Sequence, residues 1–302
     1  MSSIKIAFRP EYAHPLQDNH RFPMQKYELL PQQLLHEGSF HQEDFFEPEM
    51  LDVAWILRTH ASEYWQRLSN LELSPREQRK TGFPHSKELI TRERMIMQGS
   101  LQAAVFANEN GVAFNIAGGT HHAYTNRGEG FCLLNDIAIA SNYLLDHKLA
   151  KQILVVDLDV HQGNGTAEIF QKEDRVFTFS MHGASNYPLL KETSDLDIPL
   201  KTGTAGDEYL RLLESNLAKL VEDIKPDFIF FQSGVDVLES DKLGHLALTK
   251  QDCKHRDELV LETCYKNQIP VMACMGGGYS EKISDIVEAH ANTYRTARFL
   301  WG

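Results

Sequence analysis

The amino-acid sequence predicts a single α/β domain, residues 1–302, built on a predominantly parallel β-sheet with helices on both faces. Short apolar runs rich in β-forming residues alternate with longer amphipathic stretches along the chain, which is the pattern of a doubly wound α/β fold. Several of these runs are apolar almost throughout, as expected for strands buried on both faces of a parallel sheet. No repeat, low-complexity segment or linker rich in Gly, Ser or Pro divides the chain.

The strands and helices are predicted from these runs in chain order. The predicted strands are residues 4–8, 112–116, 152–157, 176–181, 227–232 and 270–275. The predicted helices are residues 86–108, 134–147, 207–224, 249–267 and 280–298. Asn110-Gly111 marks a turn before the second strand, and Pro226 and Pro270 separate helices from the strands that follow. The N-terminal stretch of roughly eighty residues is less regular, and we expect it to form loops and short helices packed on the sheet.

Composition indicates a globular cytoplasmic protein. The chain is 42% hydrophobic and 24% charged, and its net charge of -12 with scattered basic residues argues against direct nucleic-acid binding. No apolar run approaches the ~18 residues that span a bilayer, and no signal-peptide pattern is evident, so we expect no membrane association. The four cysteines form no C-x-x-C pair, which predicts reduced thiols and no cysteine-ligated zinc.

Polar side chains and glycines follow four of the predicted strands at the points where these strands end. The four segments are residues 117–122, 157–165, 232–236 and 276–279. Ligands bind outside the carboxyl ends of the strands in an open parallel sheet, so we expect these segments to converge on one edge. Glycines in each segment allow tight turns and close approach of the backbone to a ligand. The sequence therefore predicts a functional site of His, Asp and Tyr side chains at this edge.

Two carboxylates and an imidazole in these segments form a candidate metal site. The three candidate ligands are Asp159, His161 and Asp236. Such a set suits a catalytic zinc ion with one position open for water and substrate, and its oxygen-rich character would also admit Fe(II), Co(II) or Mn(II). The alternative interpretation is a polar strand end at which Asn164 or Thr166 caps the next helix. Asp236 and the pair His121-His122, at the ends of other predicted strands, disfavour that alternative.

The adjacent His121 and His122 are candidates for acid–base chemistry. A histidine that acts as a general base has an orienting partner on its other ring nitrogen, and Asp157 and Asn164 are the available partners. The residue pattern alone also allows one of the two histidines to bind the metal, or both to be polar loop residues.

The glycine run at residues 276–278 ends in Tyr279. This segment lacks the spacing of a phosphate-binding or dinucleotide-binding loop. It suits a phenol that donates a hydrogen bond to a substrate carbonyl, and the alternative is a tyrosine that packs at the start of a helix.

Together these segments resemble the arginase-type metal-dependent deacetylases, which include histone deacetylases, acetoin-utilisation proteins and acetylpolyamine amidohydrolases. The matching motifs lie in order at residues 12–15, 118–123, 130–136, 157–165, 233–236, 243–244 and 276–279, which span nearly the whole chain. The form of residues 161–165, His-Gln-Gly-Asn-Gly, is similar to the class IV branch of the histone deacetylases. The resemblance implies an arginase/deacetylase-like fold and metal-dependent hydrolysis of an acyl amide.

The resemblance also implies a role for each matching residue. It implies that zinc is bound by Asp159, His161 and Asp236. His121, paired with Asp157, would stabilise charge, while His122 would take a proton from the attacking water and later protonate the leaving amine. Tyr279 would donate to the substrate carbonyl and to the oxyanion. The residues implied for the substrate tunnel are Gly130, Phe131, Tyr187 and Gly277. The residues implied for a structural potassium ion are Asp157, Asp159, His161, Ser180 and Met181.

Asn164 departs from the better-known members of the resembled family, which carry Asp at this position as the partner of the second histidine. A neutral Asn can still orient His122, but it removes an anion that would favour the imidazolium form. We therefore expect the pKa of His122 to be lower than it would be beside Asp, which makes a competent base and a weaker acid.

The predicted substrate is an acylated lysine in a peptide or protein, or a small acylated amine. One alternative is a dimanganese ureohydrolase-like enzyme, which would require additional Asp and His ligands. Another is a non-catalytic acyl-lysine-binding module. Such a module would be expected to lack a metal ligand, one of the two histidines or the tyrosine, and all of these residues are present in this chain. The sequence does not fix the acyl chain, the carrier, the native metal or the oligomeric state.

Overall fold

The computed structural model describes residues 4–18 and 20–302, so residues 1–3 of the predicted domain lie outside the described part. The strands are β1 (Lys5–Ala7), β2 (Phe45–Phe46), β3 (Val112–Asn115), β4 (Ile153–Asp157), β5 (Val176–Gly183), β6 (Leu196–Leu200), β7 (Phe228–Gln232) and β8 (Val271–Cys274). They form one sheet in the order β2-β1-β3-β8-β7-β4-β5-β6, and each neighbouring pair is parallel. The predicted single α/β domain with a predominantly parallel sheet is confirmed.

Helices cover both faces of this sheet. They are α1 (Lys26–His36), α2 (Val53–Thr59), α3 (Ser62–Ser69), α4 (Pro75–Thr81), α5 (Lys87–Asn110), α6 (Asp136–Asp146), α7 (Asn164–Phe170), α8 (Gly206–Ile224), α9 (Lys250–Asn267) and α10 (Ile283–Trp301). Successive side chains of a strand point to opposite faces, and β3 shows what each face contacts. The ring of Phe114 stacks on Tyr294 of α10 with 4.4 Å between centroids, whereas Asn115 Nδ2 donates to the Ile96 carbonyl of α5 over 2.9 Å.

The four central strands, β3, β8, β7 and β4, carry the buried core of the sheet. Phe228, Ile229, Phe230 and Phe231 of β7 are each fully buried, and every residue of β4 is buried as well. Removing a side chain of this size from water stabilises the fold by about 1.5–3 kcal/mol, so these strands form a rigid base for the loops that follow them. The ends of these same four strands carry the segments that the sequence analysis singled out.

Two strands were missed by the sequence analysis, and both lie at the edges of the sheet. The first, β2, has two residues, which is too short to show any periodicity. The other, β6, contains Pro199, which lacks the N–H donor that a central strand requires, so its sequence resembled a loop. The predicted strands at the centre of the sheet agree with the structure to within two residues at each end.

The described residues contain no helix that is both long and apolar enough to cross a membrane. The four cysteines, Cys132, Cys253, Cys264 and Cys274, are free and buried, and none of them belongs to the candidate metal group described below.

Candidate active site

The carboxyl ends of β3, β8, β7 and β4 bring the candidate residues together at one edge of the sheet. Asp159 and His161 follow β4, Asp236 follows β7, and the glycine run follows β8. His121 and His122 follow β3 on the adjoining side of the same edge. Because the four strands are neighbours, segments more than a hundred residues apart in the chain meet in a single site.

Asp159, His161 and Asp236 each offer one atom that could bind a metal ion. The three atoms lie within 4.8 Å of one another, and all three residues are buried. His161 Nδ1 lies 3.0 Å from Asp159 Oδ1 and 3.2 Å from Asp236 Oδ2. The group could hold a metal ion, and it is the one such His/Cys/Asp/Glu group within residues 4–18 and 20–302.

The electrostatics of this group fit a divalent cation. Burial and the neighbouring Asp159 carboxylate raise the pKa of Asp236 to about 7, because two close anions away from water repel each other. Burial opposes the charged form of His161, but hydrogen bonds to the two carboxylates outweigh it and raise its pKa to about 10. Both pKa shifts indicate that Asp159, His161 and Asp236 together are stabilised by added positive charge. Two carboxylates and one imidazole are also a donor set that zinc accepts.

Gly277 lies against the carboxylates of the candidate ligands, where no other residue would fit. Its backbone N–H donates to Asp159 Oδ2 over 2.8 Å, which leaves the other carboxylate oxygen directed at His161. A Cβ atom on Gly277 would lie 1.9 Å from Asp236 Oδ2 and 2.8 Å from Asp159 Oδ2. The glycine that was predicted to line the substrate tunnel therefore packs directly on the candidate metal ligands.

His121 and His122 have separate hydrogen-bond partners. His121 Nδ1 lies 2.7 Å from Asp157 Oδ2, and His122 Nδ1 lies 2.6 Å from Asn164 Oδ1. The two imidazoles are 4.1 Å apart between centroids. Neither ring belongs to the group that could hold a metal. The residue pattern left Asp157 and Asn164 open as partners, and the resemblance implied Asp157 for His121 and Asn164 for His122. These are the contacts that the structure has.

The pKa values of the two histidines are shifted in opposite directions. Burial opposes the imidazolium form of His121, but the carboxylates of Asp157 and Asp159 outweigh it and raise the pKa to about 9. Burial, together with the charges on His121 and His161, holds the pKa of His122 well below its usual range. At neutral pH the pair therefore consists of a charged His121 and a neutral His122, a separation typical of acid–base sites.

Asp136, the first residue of α6, holds the loop that carries the two histidines. Its Oδ2 accepts from Ser100 Oγ and from the N–H of Gly119, and its Oδ1 accepts from the N–H and hydroxyl of Thr120. Asn135 caps α6 by accepting from the N–H of Ala138 over 2.9 Å. The cap and the buried carboxylate fix the loop relative to the sheet.

Tyr279 has its phenol ring beside the candidate ligands. Its backbone N–H donates to Asp241 Oδ2, and Asp241 Oδ1 accepts from the backbone of Leu243 and Gly244, which ties the glycine run to the loop after β7. Burial, together with the charges of Asp236 and Asp159, raises the pKa of the phenol well above its usual value. The hydroxyl therefore stays protonated and can act as a donor.

A cavity of about 530 Å³ leads from the surface to these groups. Gly130, Phe131 and Tyr187 line it, as do His122, His161 and Tyr279. The Tyr187 ring meets His122 edge-on at 4.9 Å, and its hydroxyl donates to Glu129 Oε2 over 2.6 Å. Arg21, Arg79 and Lys80 also line the cavity.

Ser180 and Met181, predicted for a potassium site, lie on β5 beside the end of β4. Ser180 is the cross-strand partner of Asp157, and both β5 residues are buried. The Ser180 hydroxyl lies 3.0 Å from His182 Nδ1. These contacts do not test whether a potassium ion binds here, so the potassium site stays a prediction.

Several groups around the site were not found from the sequence. Tyr124 and Glu192 extend the hydrogen bonds behind Asn164, and Asp241 anchors the Tyr279 segment. Lys26 of α1 is fully buried and donates to the Gly276 carbonyl over 2.9 Å. Tyr124 lies two residues after the histidine pair, and the others lie on segments without a recognisable motif, so no local pattern indicated them.

The fold and the site together define an α/β protein whose central strands end at a buried Asp-His-Asp group that could hold a metal ion. The model of the histone deacetylase domain matches residues 20–294, so the chain belongs to the histone deacetylase family. The family recognised from the motifs is confirmed, whereas the class IV branch stays a prediction. Membership of this family supports a deacetylase hydrolase.

Three relatives illustrate the similarity. An uncharacterized protein of Picosynechococcus sp. is 43% identical over 296 residues, which cover 98% of this chain and 99% of that protein. Histone deacetylase 2 of Arabidopsis thaliana is 28% identical over 302 residues, covering 95% of this chain and 77% of that protein. The crystal structure of an HDAC homolog complexed with SAHA has a TM-score of 0.82 at 24% identity, covering 98% of this chain and 84% of that one, and shows the shared fold.

Proposed function

We propose that this protein is a zinc-dependent deacylase that hydrolyses an N-acyl amide, with an ε-acyl-lysine as the preferred substrate class. The observation that carries the proposal is the pair of histidines with opposite pKa shifts beside the Asp-His-Asp group. A metal-binding group alone would fit many functions. A neutral imidazole, a charged imidazole and a protonated phenol beside it can supply the proton transfer and the charge stabilisation that promote hydrolysis of an amide.

Asp159, His161 and Asp236 are the proposed metal ligands. Zinc held there would polarise the amide carbonyl and lower the pKa of a water molecule towards neutrality. Fe(II), Co(II) or Mn(II) could substitute, because carboxylates and imidazole bind each of these ions. Buried, mutually repelling carboxylates support a resident cation over an empty polar pocket.

His122 is the proposed general base and general acid. Its neutral Nε2 takes a proton from water as the water oxygen bonds to the carbonyl carbon. When the C–N bond breaks, the same nitrogen returns the proton to the amine, and the products are a carboxylic acid and a free amine. An amine leaves poorly unless it is protonated, so one group that performs both steps suits this reaction.

His121 and Tyr279 are the proposed stabilisers of developing negative charge. Asp157 holds His121 in its charged form, and this charge lies 4.1 Å from the His122 ring. Tyr279 keeps its proton and can donate it in a hydrogen bond to the carbonyl oxygen as that oxygen becomes an oxyanion.

The proposed substrate chain enters the cavity between Phe131 and Tyr187. An apolar wall near the surface suits the methylene chain of an acylated lysine, and the amide would reach His122 at the inner end. The related HDAC homolog binds SAHA in its crystal structure, which supports an extended acyl-lysine-like ligand for this family member as well. A small acylated amine is the second substrate candidate.

A substrate panel tests this proposal. The purified zinc-loaded protein is incubated with acyl-lysine peptides of increasing acyl length and with acetylated polyamines, and the free amine released is measured. We expect hydrolysis of at least one acyl-lysine peptide, inhibition by SAHA, and loss of activity in His122→Ala. Absence of hydrolysis across the panel, with zinc bound, would overturn the proposal.

A further inference from the structure

A chain of three hydrogen bonds runs from the proposed base to a carboxylate that no sequence motif indicated. His122 Nδ1 lies 2.6 Å from Asn164 Oδ1, and Asn164 Nδ2 donates to the Tyr124 hydroxyl over 2.9 Å. The Tyr124 hydroxyl in turn donates to Glu192 Oε1 over 3.2 Å. His122 and Asn164 are buried, and Glu192 is half-buried.

The carboxylate at the end fixes the direction of every hydrogen bond in this chain. A carboxylate accepts hydrogen bonds and donates none, so the Tyr124 proton points to Glu192. The Tyr124 oxygen must then accept from Asn164, which requires the NH₂ group of the amide on that side. The amide oxygen is thereby directed at His122, whose Nδ1 must carry the proton.

Without Glu192, the same atoms would allow the opposite arrangement. An amide has a donor side and an acceptor side of nearly the same shape, and a hydroxyl both donates and accepts. If Tyr124 donated to Asn164, the amide could rotate and present its NH₂ group to His122. His122 Nδ1 would then be the acceptor, and the proton would move to Nε2. That form could not accept a proton from water.

Tyr124 and Glu192 are themselves held firmly. The Arg127 guanidinium lies 3.4 Å above the Tyr124 ring. The backbone of Glu192 is hydrogen-bonded at both its N–H and its carbonyl to the side chain of Gln162, at 2.9 and 2.7 Å. Gln162 is fully buried and lies two residues before Asn164, so the segment that carries Asn164 also anchors Glu192.

We propose that Tyr124 and Glu192 are positioning residues that set the tautomer of His122 through the neutral Asn164, leaving Nε2 free to accept a proton. In the structure, Nε2 has no hydrogen-bond partner among the described residues, and the imidazole lines the cavity. The base role of His122 rests on the proposed function, but its tautomer is a property of the protein that can be measured without any substrate.

With Tyr124 and Glu192 behind it, an amide at position 164 can orient the base as an aspartate would. Aspartate accepts hydrogen bonds only, so it fixes the proton on Nδ1 without help. Asparagine needs a further group that decides which end faces the imidazole. Tyr124 and Glu192 together make that choice. Their contribution to the orientation of His122 should therefore depend on the residue at position 164.

The direct test is the nitrogen NMR spectrum of the zinc-loaded protein labelled with ¹⁵N-histidine. The His122 signals are assigned by their loss in His122→Ala. We expect a protonated Nδ1 and an unprotonated Nε2 in the wild type, and a mixture or the opposite tautomer in Tyr124→Phe and Glu192→Ala. Glu192→Gln should restore the wild-type tautomer in part, because its amide oxygen still accepts. The exposed Tyr265→Phe is the matched control.

Kinetics provide the second readout. Tyr124→Phe and Glu192→Ala should lower kcat by about tenfold to a hundredfold with KM within about twofold, as is typical when the partner of a catalytic group is lost. In an Asn164→Asp background, Glu192→Ala should lower kcat by less than about twofold, because the carboxylate at position 164 orients His122 alone.

The two proposals fail in different ways. An unchanged His122 tautomer in both Tyr124→Phe and Glu192→Ala, or equal kinetic costs of Glu192→Ala in the two backgrounds, would overturn the positioning role even if the enzyme is fully active. A protein that hydrolyses no acyl amide but shows the predicted tautomer change would retain the positioning role and lose the proposed function.

Discussion

At the residue scale, the proposed chemistry depends on two adjacent histidines that experience different environments. The His121 ring has a carboxylate on Nδ1 and is charged at neutral pH, whereas burial, together with the charges of His121 and His161, keeps His122 neutral. The sequence identified both residues as acid–base candidates. The residue pattern alone left Asp157 and Asn164 open as partners, and only the family resemblance implied which histidine each one contacts. The assignment depends on how the segments after β3 and β4 face each other, and these two strands are not adjacent in the sheet.

Asn164→Asp should raise the pKa of His122, because the new anion favours the imidazolium form. The base must be deprotonated to act, so the acidic limb of the kcat/KM profile should move to higher pH. Steady-state rates between pH 5 and 9 measure this. The limb of the control Tyr265→Phe should stay in place, and an unmoved limb in Asn164→Asp would contradict the assignment of His122 as the base.

Tyr279→Phe should lower kcat by about a hundredfold, or about 3 kcal/mol, which is typical for the loss of one oxyanion donor. No described residue forms a hydrogen bond with the Tyr279 hydroxyl, so the variant should keep the thermal stability of the wild type. Full activity in this variant, measured with an acyl-lysine peptide, would rule out the role given to Tyr279.

At the element scale, the site depends on loops that follow four central strands, and these strands were predictable. Their runs are apolar because both faces are buried, so the pattern is strong and the glycine-rich ends are easily located. The edge strands β2 and β6 were not predictable, since one has two residues and the other contains Pro199. The anchors Asp241 and Glu192 were also missed, because hydrogen bonds between loops leave no periodic signal.

Gly277→Ala should weaken metal binding at least about tenfold, because its Cβ would displace the Asp236 and Asp159 carboxylates. Zinc titration followed by calorimetry measures the affinity. Gly203→Ala is the control for zinc affinity, since a Cβ at Gly203 would meet nothing within 4 Å, and the strain at its φ of +78° should lower stability without touching the candidate ligands. Equal zinc affinity in the two variants would show that Gly277 does not shape the metal site.

At the scale of the whole molecule, the metal-binding group joins segments from distant parts of the chain and carries an electrostatic cost. In the metal-free protein, the pKa of Asp236 is about 7, compared with 3.8 for an ordinary Asp. A raised carboxyl pKa means that the folded state holds the proton more tightly than the unfolded state. Asp236 should therefore contribute stability to the metal-free protein at low pH, and this contribution is lost as the pH rises from about 4 to 7.

Asp236→Asn should remove this pH dependence and leave the metal-free protein at least as stable as the wild type at pH 8. The same variant should gain no stability from zinc, whereas zinc at a hundred times its Kd should stabilise the wild type by about 2.7 kcal/mol. Thermal unfolding with and without zinc at pH 5 and pH 8 tests both statements. A lower metal-free Tm for the variant at pH 8 would contradict the repulsion described here.

The most direct test of the central claim is a zinc titration of the metal-free protein with acyl-lysine hydrolysis measured at each step. The account predicts that activity rises in proportion to zinc, reaches its plateau at one ion per chain, and does not appear in Asp159→Ala or His161→Ala. Full activity in the metal-free protein, or in Asp159→Ala, would contradict it.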